Sequence, residues 1–551
     1  MGFCTALLFF LAYLSAIFAQ NFEDAHLVVN GTAVLAETDA DYICATIDWW
    51  PHDKCNYNQC PWGYSSVINM DLSEPLLAKA IQAFGRLRIR IGGSLQDQVK
   101  YDVGLNSSCP PFAKVRDKMF GFSGGCLHMK RWDELNHFFS KTGALVTFGL
   151  NALSGRHQIQ RGVWGGDWDS SNAHDFIQYT VSKGYQIDSW EFGNELSGKG
   201  IGASVGAEQY GRDLINLKDI LDKLYHNFKP KPFLVAPGGF YDNTWFAKLL
   251  RVSGSHVVDV MTHHIYNLGA GVDPTLVSKI LDPHYLSRVS DTFSNLKQTI
   301  QRNGPWASAW VGESGGAYNS GGRHVSDTFI NSFWYLDQLG IAAKYNTKVY
   351  CRQTLIGGNY GLLNTTTFLM GKGVLAVDSD ASPYLRYYAH CSKGRAGVTL
   401  LLINLSNQTN FNINVQTSMH VNLHKKENTK NARGIKKTVS WIGGKASDEA
   451  LSREEYHLTP ADGNIQSKTM LLNGRRIELT AGGDIPTLSP SFLKEDYGIS
   501  ISPLSMKFIV FPNFNAPELA DDFVLRIGWT NDRVEAFSID SSTSSSTSSS
   551  N

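Results

Sequence analysis

The chain has 551 residues, too many for one average domain. A barrel of roughly 250 to 400 residues with one smaller module would account for the length, so we expect two domains. The chain has 50 lysine and arginine residues and 50 aspartate and glutamate residues. This balance gives no overall positive charge that would attract nucleic acid or another polyanion. Hydrophobic residues at 42% supply a sizeable core, and aromatic residues at 12% include the rings that stack on sugar faces.

The first 20 residues are typical of a secretory signal peptide. Residues 6–18 form an apolar run, and we expect cleavage near Ala19 or Gln20, although the usual positive charge at the start is missing. No later run reaches about 18 apolar residues, which predicts no membrane span. Five sequons fit a glycosylated product: Asn30, Asn106, Asn364, Asn404 and Asn407. We expect secretion to the extracellular space or cell wall, with a vacuole or lysosome-like compartment as the alternative.

Cysteine usage agrees with an oxidising compartment. Seven of the eight cysteines remain after Cys4 leaves with the signal peptide. Two close pairs and one more distant pair are the expected disulfides: Cys55 with Cys60, Cys109 with Cys126, and Cys351 with Cys391. That leaves Cys44, inside a predicted strand, as a buried free thiol. A zinc site at Cys55 and Cys60 is the alternative, but no second pair of ligands with metal spacing stands nearby.

Residues 42–355 alternate short apolar runs with helical patterns. Eight runs predict strands: 42–48, 87–92, 144–150, 187–191, 232–237, 257–264, 307–313 and 348–355. Seven helical patterns lie among them: 75–84, 130–142, 173–183, 207–228, 243–253, 285–303 and 327–345. The repeated alternation, with no glycine-rich phosphate loop, favours a (β/α)8 TIM barrel over an open doubly wound sheet.

From about residue 380 the pattern changes to short period-two strands separated by turns. The predicted strands are 396–404, 411–415, 419–423, 438–441, 455–458, 469–472, 477–480 and 506–511. Such spacing without helices predicts a C-terminal β-sandwich domain, with the N-terminal extended segment as a candidate strand of it. The expected divisions are a signal peptide (1–20), the N-terminal segment (21–41), the barrel (42–378), the sandwich (379–538) and a disordered Ser/Thr-rich tail (539–551). Within the sandwich, residues 424–437 hold six Lys or Arg against one Glu, which we interpret as a solvated loop.

Two predicted strands end in a glutamate motif. Residues 189–196 read Ser-Trp-Glu-Phe-Gly-Asn-Glu-Leu, and residues 309–316 read Ala-Trp-Val-Gly-Glu-Ser-Gly-Gly. Barrel enzymes place their chemistry at the carboxyl ends of the strands, so strands four and seven bring Glu195 and Glu313 to one mouth. A pair of carboxyl groups in this position is typical of retaining glycosidases. The sequence therefore predicts Glu195 as acid/base, with Asn194 beside it to hold a substrate hydroxyl, and Glu313 as nucleophile.

Glu191 is the rival of Glu195 for the acid role. Because it lies within the strand, it can instead pair with Arg88 or Arg90 of a neighbouring strand. Other polar side chains follow other strand ends and predict a ring of sugar contacts: Asp48, Ser94, Asp97, His263, His264, Tyr266, Arg352, Gln353, Asn359 and Tyr360. A structural hydrogen-bonding role is the alternative, above all for Asp97 and His263.

The two glutamate motifs share the chain with Thr-Ile-Asp at 46–48, Arg-Ile-Gly-Gly-Ser at 90–94 and Gly-Asn-Tyr at 358–360. Together they resemble glycoside hydrolase family 79, the heparanase/β-glucuronidase family, and most of all its plant heparanase-like members. The resemblance covers nearly the whole chain after the signal peptide. It implies a retaining β-glucuronidase with Glu195 as proton donor and Glu313 as nucleophile, on a barrel with a β-sandwich.

The resemblance also implies a set of contacts to glucuronic acid: Asp48, Ser94, Asn194, His264, Tyr266 and Tyr360. Backbone amides after Tyr318 would help to hold the sugar's carboxylate. Here the chain departs from the family pattern, because Asn319 and Ser320 stand where two glycines are expected, and Gly-Gly follows at 321–322. A second departure is the short segment 104–128, where the animal heparanases carry a long excised linker. We therefore expect a single uncleaved chain.

The leading hypothesis is a β-glucuronidase that acts on cell-wall glycans such as arabinogalactans or on small aromatic glucuronides, without metal or cofactor. The second is an endo-β-glucuronidase, heparanase-like, on an acidic polysaccharide, which the neutral composition disfavours. The third is a catalytically silent carbohydrate-binding matrix protein, which would not need both carboxylates. We expect a monomer whose partner is its glycan or glucuronide substrate, and acidic working conditions because the acid must be protonated.

Overall fold

The computed structural model describes residues 21–104, 109–363, 373–392, 397–418, 452–480, 484–494, 497–512 and 514. Several predictions lie outside these ranges: the signal peptide, the sequons at Asn106 and Asn364, the strands at 419–423 and 438–441, the basic run at 424–437 and the tail at 539–551. Within the ranges, no helix has the length and apolar character needed to cross a membrane.

Eight parallel strands close into a barrel, which confirms the predicted fold class. They are β1 (Ile43–Ile47), β2 (Arg88–Ile91), β3 (Leu145–Leu150), β4 (Ser189–Phe192), β5 (Phe233–Phe240), β6 (Val260–Ile265), β7 (Ser308–Ser314) and β8 (Thr347–Arg352). Nearly all of their residues are buried, because side chains fill the inside and helices cover the outside. β8 pairs with β1 and closes the ring.

The helices surround this barrel. They are α1 (Pro75–Ala83), α2 (Met129–Thr142), α3 (Ser171–Ser182), α4 (Ala207–Leu224), α5 (Asn243–Ser253), α6 (Leu276–Ile280), α7 (Pro283–Ser287), α8 (Val289–Asn303) and α9 (Ile330–Lys344). In α4, for example, Leu214, Leu217 and Leu221 recur at helical spacing and are buried. The helix predicted at 285–303 is wrong in one respect, since a short helix capped by Asp282 ends before Arg288 and a second one follows.

Short elements lie in the loops at the carboxyl ends of the barrel strands. Val99–Tyr101 pairs with Gly125–Leu127, and Gly269–Ala270 pairs with Ala317–Tyr318. His157–Gln160, Val163–Gly165 and Ser204–Val205 form a three-stranded sheet. Two of the loops contain one turn of 3-10 helix each, at Gln96–Gln98 and Met119–Gly121. A further 3-10 turn, Ala461–Gly463, lies in the C-terminal domain. These pairings give the loops that surround the barrel mouth fixed positions.

An eleven-stranded sheet combines the two ends of the chain. Its strands are Asn21–Glu37, Gly373–Ser379, Leu385–Cys391, Val398–Asn404, Thr409–Ser418, Ser452–Pro460, Met470–Leu472, Arg475–Arg476, Ser491–Lys494, Ile499–Ile501 and Ser505–Phe511. The N-terminal strand lies between the second and fifth of these, so the first extended segment does join the C-terminal domain. The strand predicted at 477–480 is wrong: Asn473 and Gly474 both have positive φ, and this tight turn sends the chain back already at 475–476.

The strand Val398–Asn404 shows how the two domains pack together. All seven of its residues are buried. Leu400 and Leu402 face the core inside the C-terminal domain, whereas Leu401 and Ile403 belong to a cluster that includes the buried face of α9. A strand with an apolar layer on each side therefore reads as a continuous apolar run rather than an alternating one.

Among the described residues, three disulfides form: Cys55–Cys60, Cys109–Cys126 and Cys44–Cys351. The first two confirm the predicted pairs and remove the zinc alternative. The predicted pairing of Cys351 with Cys391, and the free thiol at Cys44, are wrong. Cys44 and Cys351 are direct neighbours in register where β1 meets β8, and their separation of 307 residues hides this contact in the sequence.

One sequon prediction is also wrong. Asn404 is fully buried, and its amide nitrogen donates hydrogen bonds to the carbonyls of Thr409 at 2.8 Å and Ser502 at 2.9 Å. An acceptor nitrogen in this environment has no access for a glycan in the folded protein. Asn407 is exposed and Asn30 is half-buried.

Candidate active site

The site is built on the alternation of side chains along the barrel strands. In β2, Ile89 and Ile91 point into the apolar layer under the helices, so Arg88 and Arg90 point into the barrel. Arg90 is fully buried near the carboxyl end of the strand. Its guanidinium donates hydrogen bonds to three groups: Glu191 Oε2 at 2.6 Å, Glu313 Oε2 at 2.8 Å and Asn194 Oδ1 at 2.8 Å. Arg90 is therefore the central cation of the barrel mouth.

Glu313 lies at the carboxyl end of β7 and has both of its oxygens engaged. Oε2 accepts the hydrogen bond from Arg90, and Oε1 accepts one from the Tyr266 hydroxyl at 2.6 Å. These donors fix the orientation of the carboxylate and stabilise its negative charge. A carboxylate held in this way is suited to attack a carbon at the barrel mouth.

Glu195 lies in the loop after β4, with a φ of 56° that is uncommon for a residue other than glycine. Its amide donates to the Gly238 carbonyl at 2.7 Å, and its carbonyl accepts from the Ile201 amide at 2.9 Å. Asp97 accepts a hydrogen bond from the Asn194 amide at 2.8 Å. The surrounding hydrogen bonds thus hold the strained turn that aims Glu195 into the mouth.

The surroundings of Glu195 favour its protonated form. Burial raises the pKa of Glu195 to about 7, and the charge of Arg90 opposes this shift. His264 Nδ1 lies 3.0 Å from Glu195 Oε1. Burial lowers the pKa of His264 to about 3, so the imidazole is neutral near pH 7. A carboxyl group that keeps its proton near neutrality is suited to general acid catalysis.

The separation of the two carboxyl groups favours one stereochemical class. One oxygen of Glu195, one oxygen of Glu313 and a ring nitrogen of His264 all lie within 4.8 Å of one another. Retaining glycosidases place these groups about 5 to 5.5 Å apart and inverting ones about 6.5 to 9.5 Å apart, so two oxygens within 4.8 Å of each other are nearer to the retaining spacing. The three side chains also have the spacing of a metal site, but both Glu313 oxygens already accept hydrogen bonds. A catalytic carboxyl pair is the better fit.

Glu191, the rival for the acid role, lies below the cleft. It is fully buried, and its oxygens accept hydrogen bonds from Arg90 at 2.6 Å and the Thr262 hydroxyl at 3.5 Å. A side chain on Gly238 would collide with it. Of the two arginines proposed as its partner, Arg90 is the one that it contacts. Glu195 is therefore better placed than Glu191 to meet a substrate.

A cleft of about 480 Å³ opens above the two glutamates. Eight of the residues singled out in the sequence line it: Asp48, Ser94, Glu195, Tyr266, Glu313, Tyr318, Gln353 and Tyr360. Asn194 and His264 are buried and contact Arg90 and Glu195 rather than the cleft. His263 packs with its ring centre 5.6 Å from that of Phe293, on the outside of the barrel.

The remaining predicted contacts brace loops. Asp97 accepts hydrogen bonds from two backbone amides, those of Ala152 and Asn194. Arg352 lies over the ring of Trp334, with its guanidinium carbon 5.0 Å from the ring centre. Asn359 donates to the Gly321 carbonyl at 3.3 Å. These three side chains support the mouth from behind.

Asp48 is the third carboxyl group of the cleft, directly after β1. Burial, followed by the charge of Glu313, raises the pKa of Asp48 to about 7. Gln353 Nε2 donates to Asp48 Oδ2 at 3.0 Å. Gly93 lies so close to this carboxyl group that any side chain there would collide with it, and its φ of 109° is accessible to glycine. Of the Gly-Gly pair after β2, Gly93 thus makes room for Asp48, whereas Gly92 makes room for the Arg90 guanidinium.

Sequence reasoning missed one wall of the cleft. Seven further residues line the cleft: Trp50, Lys54, Asn56, Trp62, Phe120, Ile201 and Phe240. The first four belong to residues 50–62, which we name the disulfide loop because Cys55–Cys60 closes it. The signal was available, since this aromatic-rich segment directly follows β1, at the end of the barrel where binding loops lie.

The disulfide loop is fastened to the loop after Tyr318. Asn56 Nδ2 and Trp62 Nε1 both donate to Ser320 Oγ, at 2.7 and 2.9 Å. Asn319, Ser320 and Gly321 all have positive φ, of 58°, 74° and 77°. Within the ranges that the structure covers, their three amides donate to no acceptor. The left-handed backbone is therefore present although the two glycines stand two positions later than expected.

The chain is similar to known proteins over most of its length. Residues 24–340 match the family described as Glycosyl hydrolase family 79, N-terminal domain. The chain belongs to this family. It is 63% identical over 516 residues to heparanase-like protein 1 of Arabidopsis thaliana, and the alignment covers 90% of this chain and 95% of that protein. It is 36% identical over 508 residues to baicalin-beta-D-glucuronidase of Scutellaria baicalensis, covering 87% and 90%.

Solved structures show the same fold. The 4-O-alpha-L-rhamnosyl-beta-D-glucuronidase from Fusarium oxysporum 12S superposes with a TM-score of 0.60 at 14% identity, covering 88% of this chain and 100% of that one. The family 79 resemblance read from the motifs is thus confirmed, and this protein is a glycoside hydrolase.

Proposed function

We propose that this glycosidase is a retaining β-glucuronidase that releases glucuronic acid from arabinogalactan-type glycans or small glucuronides. The observation that carries the proposal is the pair of carboxyl oxygens, from Glu195 and Glu313, within 4.8 Å of each other. Their unequal surroundings support the division of roles, since Glu195 is held as an acid and Glu313 as a carboxylate. The relative named baicalin-beta-D-glucuronidase supports the choice of sugar.

In the first step Glu313 attacks the anomeric carbon and Glu195 gives its proton to the glycosidic oxygen, which leaves as an alcohol. Arg90 and Tyr266 keep the nucleophile oriented through their hydrogen bonds. In the second step a water attacks the same carbon, Glu195 takes a proton from it, and Glu313 is released. Two inversions at one carbon give a product with the configuration of the substrate.

The loop after Tyr318 supplies donors for the carboxylate of the sugar. The amides of Asn319, Ser320 and Gly321 donate to no acceptor within the described residues. Ser320 Oγ accepts two hydrogen bonds, which leaves its own proton to be donated elsewhere. An anion that enters beside this loop would satisfy these donors.

The decisive experiment compares an aryl β-glucuronide with the matching β-glucoside across about pH 4 to 8, with the first product followed by NMR. We expect the β anomer of glucuronic acid to be released first and the glucoside to react poorly. Release of the α anomer first would contradict the retaining mechanism. Hydrolysis of the glucoside alone would contradict the choice of sugar.

A second candidate function, cleavage inside a longer acidic glycan, is favoured by a groove beside the cleft. The groove measures about 1330 Å³, and its lining has three aspartates and four cations, Lys100, Lys118, Arg161 and Lys199. These cations form no ion pair among the residues described here. If they bind a polymer, Arg161→Glu with Lys199→Glu will slow release from the polymer and leave aryl glucuronide turnover unchanged. An endo-enzyme will produce internal fragments, and an exo-enzyme only the monosaccharide.

We further propose that the mature protein is a secreted, uncleaved monomer. Three disulfides support an oxidising compartment. The segment 109–128 is folded by Cys109–Cys126 and by the pairing of Gly125–Leu127 with Val99–Tyr101. A single band on a reducing gel and a monomeric mass in solution are the expected results.

A further inference from the structure

Lys54 stands out among the groups that line the cleft. Three carboxyl groups line the cleft: Asp48, Glu195 and Glu313. Among the described lining residues, Lys54 is the one with a cationic side chain. The Lys54 ammonium lies 3.9 Å from the ring centre of Trp50, which is buried in the same loop. This cation–π contact holds the ammonium at the wall without using its hydrogen-bond donors.

The other cations nearby are already paired. Arg90 donates to Glu191, Glu313 and Asn194, and it is buried beneath the cleft rather than part of its lining. Lys114 lies outside the cleft and pairs with Asp53 at 3.2 Å. Lys54, by contrast, forms no ion pair with any carboxylate of the described residues. Burial lowers the pKa of Lys54, and this effect is larger than the opposing one of the Asp48 charge, which raises it.

A half-buried ammonium without a partner is poorly solvated, and a carboxylate that enters the cleft would restore its lost interactions. Asn56, two residues after Lys54, donates to Ser320 Oγ at 2.7 Å. The disulfide loop is thereby joined to the loop whose amides, 319–321, lack acceptors. A single anionic group between the two loops would meet the ammonium from one side and the amides from the other.

We propose that Lys54 binds the carboxylate of the uronic acid and sets the preference of the enzyme for a uronide over a neutral glycoside. The inference rests on the proposed function, because it assigns one contact of that substrate. The bond is an ion pair with hydrogen bonds from the ammonium to the carboxylate oxygens. Lys54 takes no part in the transfer of the glycosyl group, so its loss should raise KM more than it lowers kcat.

The test compares Lys54→Met with Lys114→Met, a matched loss of a lysine that contacts the same loop from outside the cleft. Each variant is assayed with an aryl β-glucuronide and with the corresponding glucuronamide, which has the same shape without the charge. We expect Lys54→Met to lower kcat/KM for the glucuronide about 10- to 100-fold, mainly through KM, and to leave the glucuronamide within about threefold. Lys114→Met should change neither. Inhibition by free glucuronic acid and by its amide gives the same comparison if the glucuronamide turns over too slowly.

The outcomes separate this inference from the proposed function. A wild-type enzyme that hydrolyses the glucuronide while Lys54→Met keeps its full preference for the charged substrate overturns the role of Lys54 alone. An equal loss on both substrates also overturns it, because it indicates a structural role. A wild-type enzyme with no activity on glucuronides overturns the proposed function, and the assigned contact with it.

Discussion

Arg88 and Arg90 are the same residue type, two positions apart on β2, and both are buried inside the barrel. Arg88 lies at the amino end of the strands, where it pairs with Asp188 and, at 2.6 Å, with Asp41. Its guanidinium carbon also lies 4.5 Å from the ring centre of Trp310. Arg90 lies at the carboxyl end, where it contacts Glu313 and supports the cleft.

Arg88 and Arg90 have the same charge and similar burial, so their position along the barrel strand determines whether each contacts structural or active-site carboxylates. Asp41 and Asp188 precede β1 and β4, whereas Glu195 and Glu313 come at or after strand ends. In barrel enzymes the amino end contributes stability and the carboxyl end the chemistry. We therefore name Arg88, Asp41 and Asp188 the lower cluster, and Arg90, Glu191 and Glu313 the upper cluster.

Loss of the nucleophile should have the largest effect. Glu313→Gln removes the proposed nucleophile, and we expect kcat to fall at least about 1000-fold. The amide oxygen can accept from Tyr266 or from Arg90, and Arg90 keeps its ion pair with Glu191, so the melting temperature should change little. Glu208→Gln, an exposed carboxylate paired with Lys248 at 2.8 Å, is the matched control and should keep wild-type activity. Wild-type turnover in Glu313→Gln would remove Glu313 from the mechanism.

The two arginines give the sharpest test of the comparison itself. Arg90→Met leaves Glu313 without its cationic donor, and we expect kcat/KM per folded molecule to fall about 100-fold or more. Arg88→Met leaves the buried Asp41 and the half-buried Asp188 without their cation and should cost about 3 to 5 kcal/mol of unfolding free energy. Urea unfolding and turnover on the same samples separate the two effects. If Arg88→Met loses kcat as Arg90→Met does, the division between the ends of the barrel is wrong.

The pH profile tests Glu195, the proposed acid at the barrel mouth. Burial raises the pKa of Glu195 to about 7, and glycosidic cleavage requires its protonated form. Activity should therefore be full below this value and fall as pH rises through it, about tenfold per unit above it. Glu195→Gln should abolish this alkaline limb and should slow substrates with poor leaving groups far more than nitrophenyl glycosides. An unchanged limb in the variant would assign it to another group, and Asp48 is the first candidate.

Local patterns in the sequence predicted much of the fold and the two glutamates that meet at the barrel mouth. The alternation of strands and helices predicted the barrel, the position of Glu191 within a strand predicted a partner on Arg88 or Arg90, and the strand ends placed Glu195 and Glu313 at the mouth. These features depend on residues close together in the chain. The central role of Arg90 was readable in the same way, since it alternates with Ile89 and Ile91, although it entered only as a partner for Glu191.

Other features depend on contacts that no local pattern encodes. Lys54 joins the site only because the disulfide loop folds over the barrel mouth and meets Ser320. The side-chain amide of Asn404 donates to the carbonyl of Ile501, on another strand 97 residues later in the chain. The pairing of Cys44 with Cys351 needs the closed ring, because only there do the first and last strands lie side by side.

This last disulfide belongs to the lower part of the barrel and should matter for stability alone. Cys44 and Cys351 pack with Val235, Val260 and Trp310, the same indole that lies over Arg88. Replacing both cysteines with alanine should cost about 2 to 5 kcal/mol, since the bond closes a long loop in the unfolded chain. Activity per folded molecule should stay unchanged, as measured by urea unfolding and turnover together.

The matched control for this disulfide is the double replacement of Cys55 and Cys60 by alanine. That bond closes a short loop, so its loss should cost less stability, but it shapes the wall that carries Lys54 and should raise KM for a glucuronide. The two disulfides thus repeat the contrast of the two arginines. If the barrel disulfide alters kcat, or the loop disulfide alters only stability, then position along the barrel does not separate structure from chemistry in this enzyme.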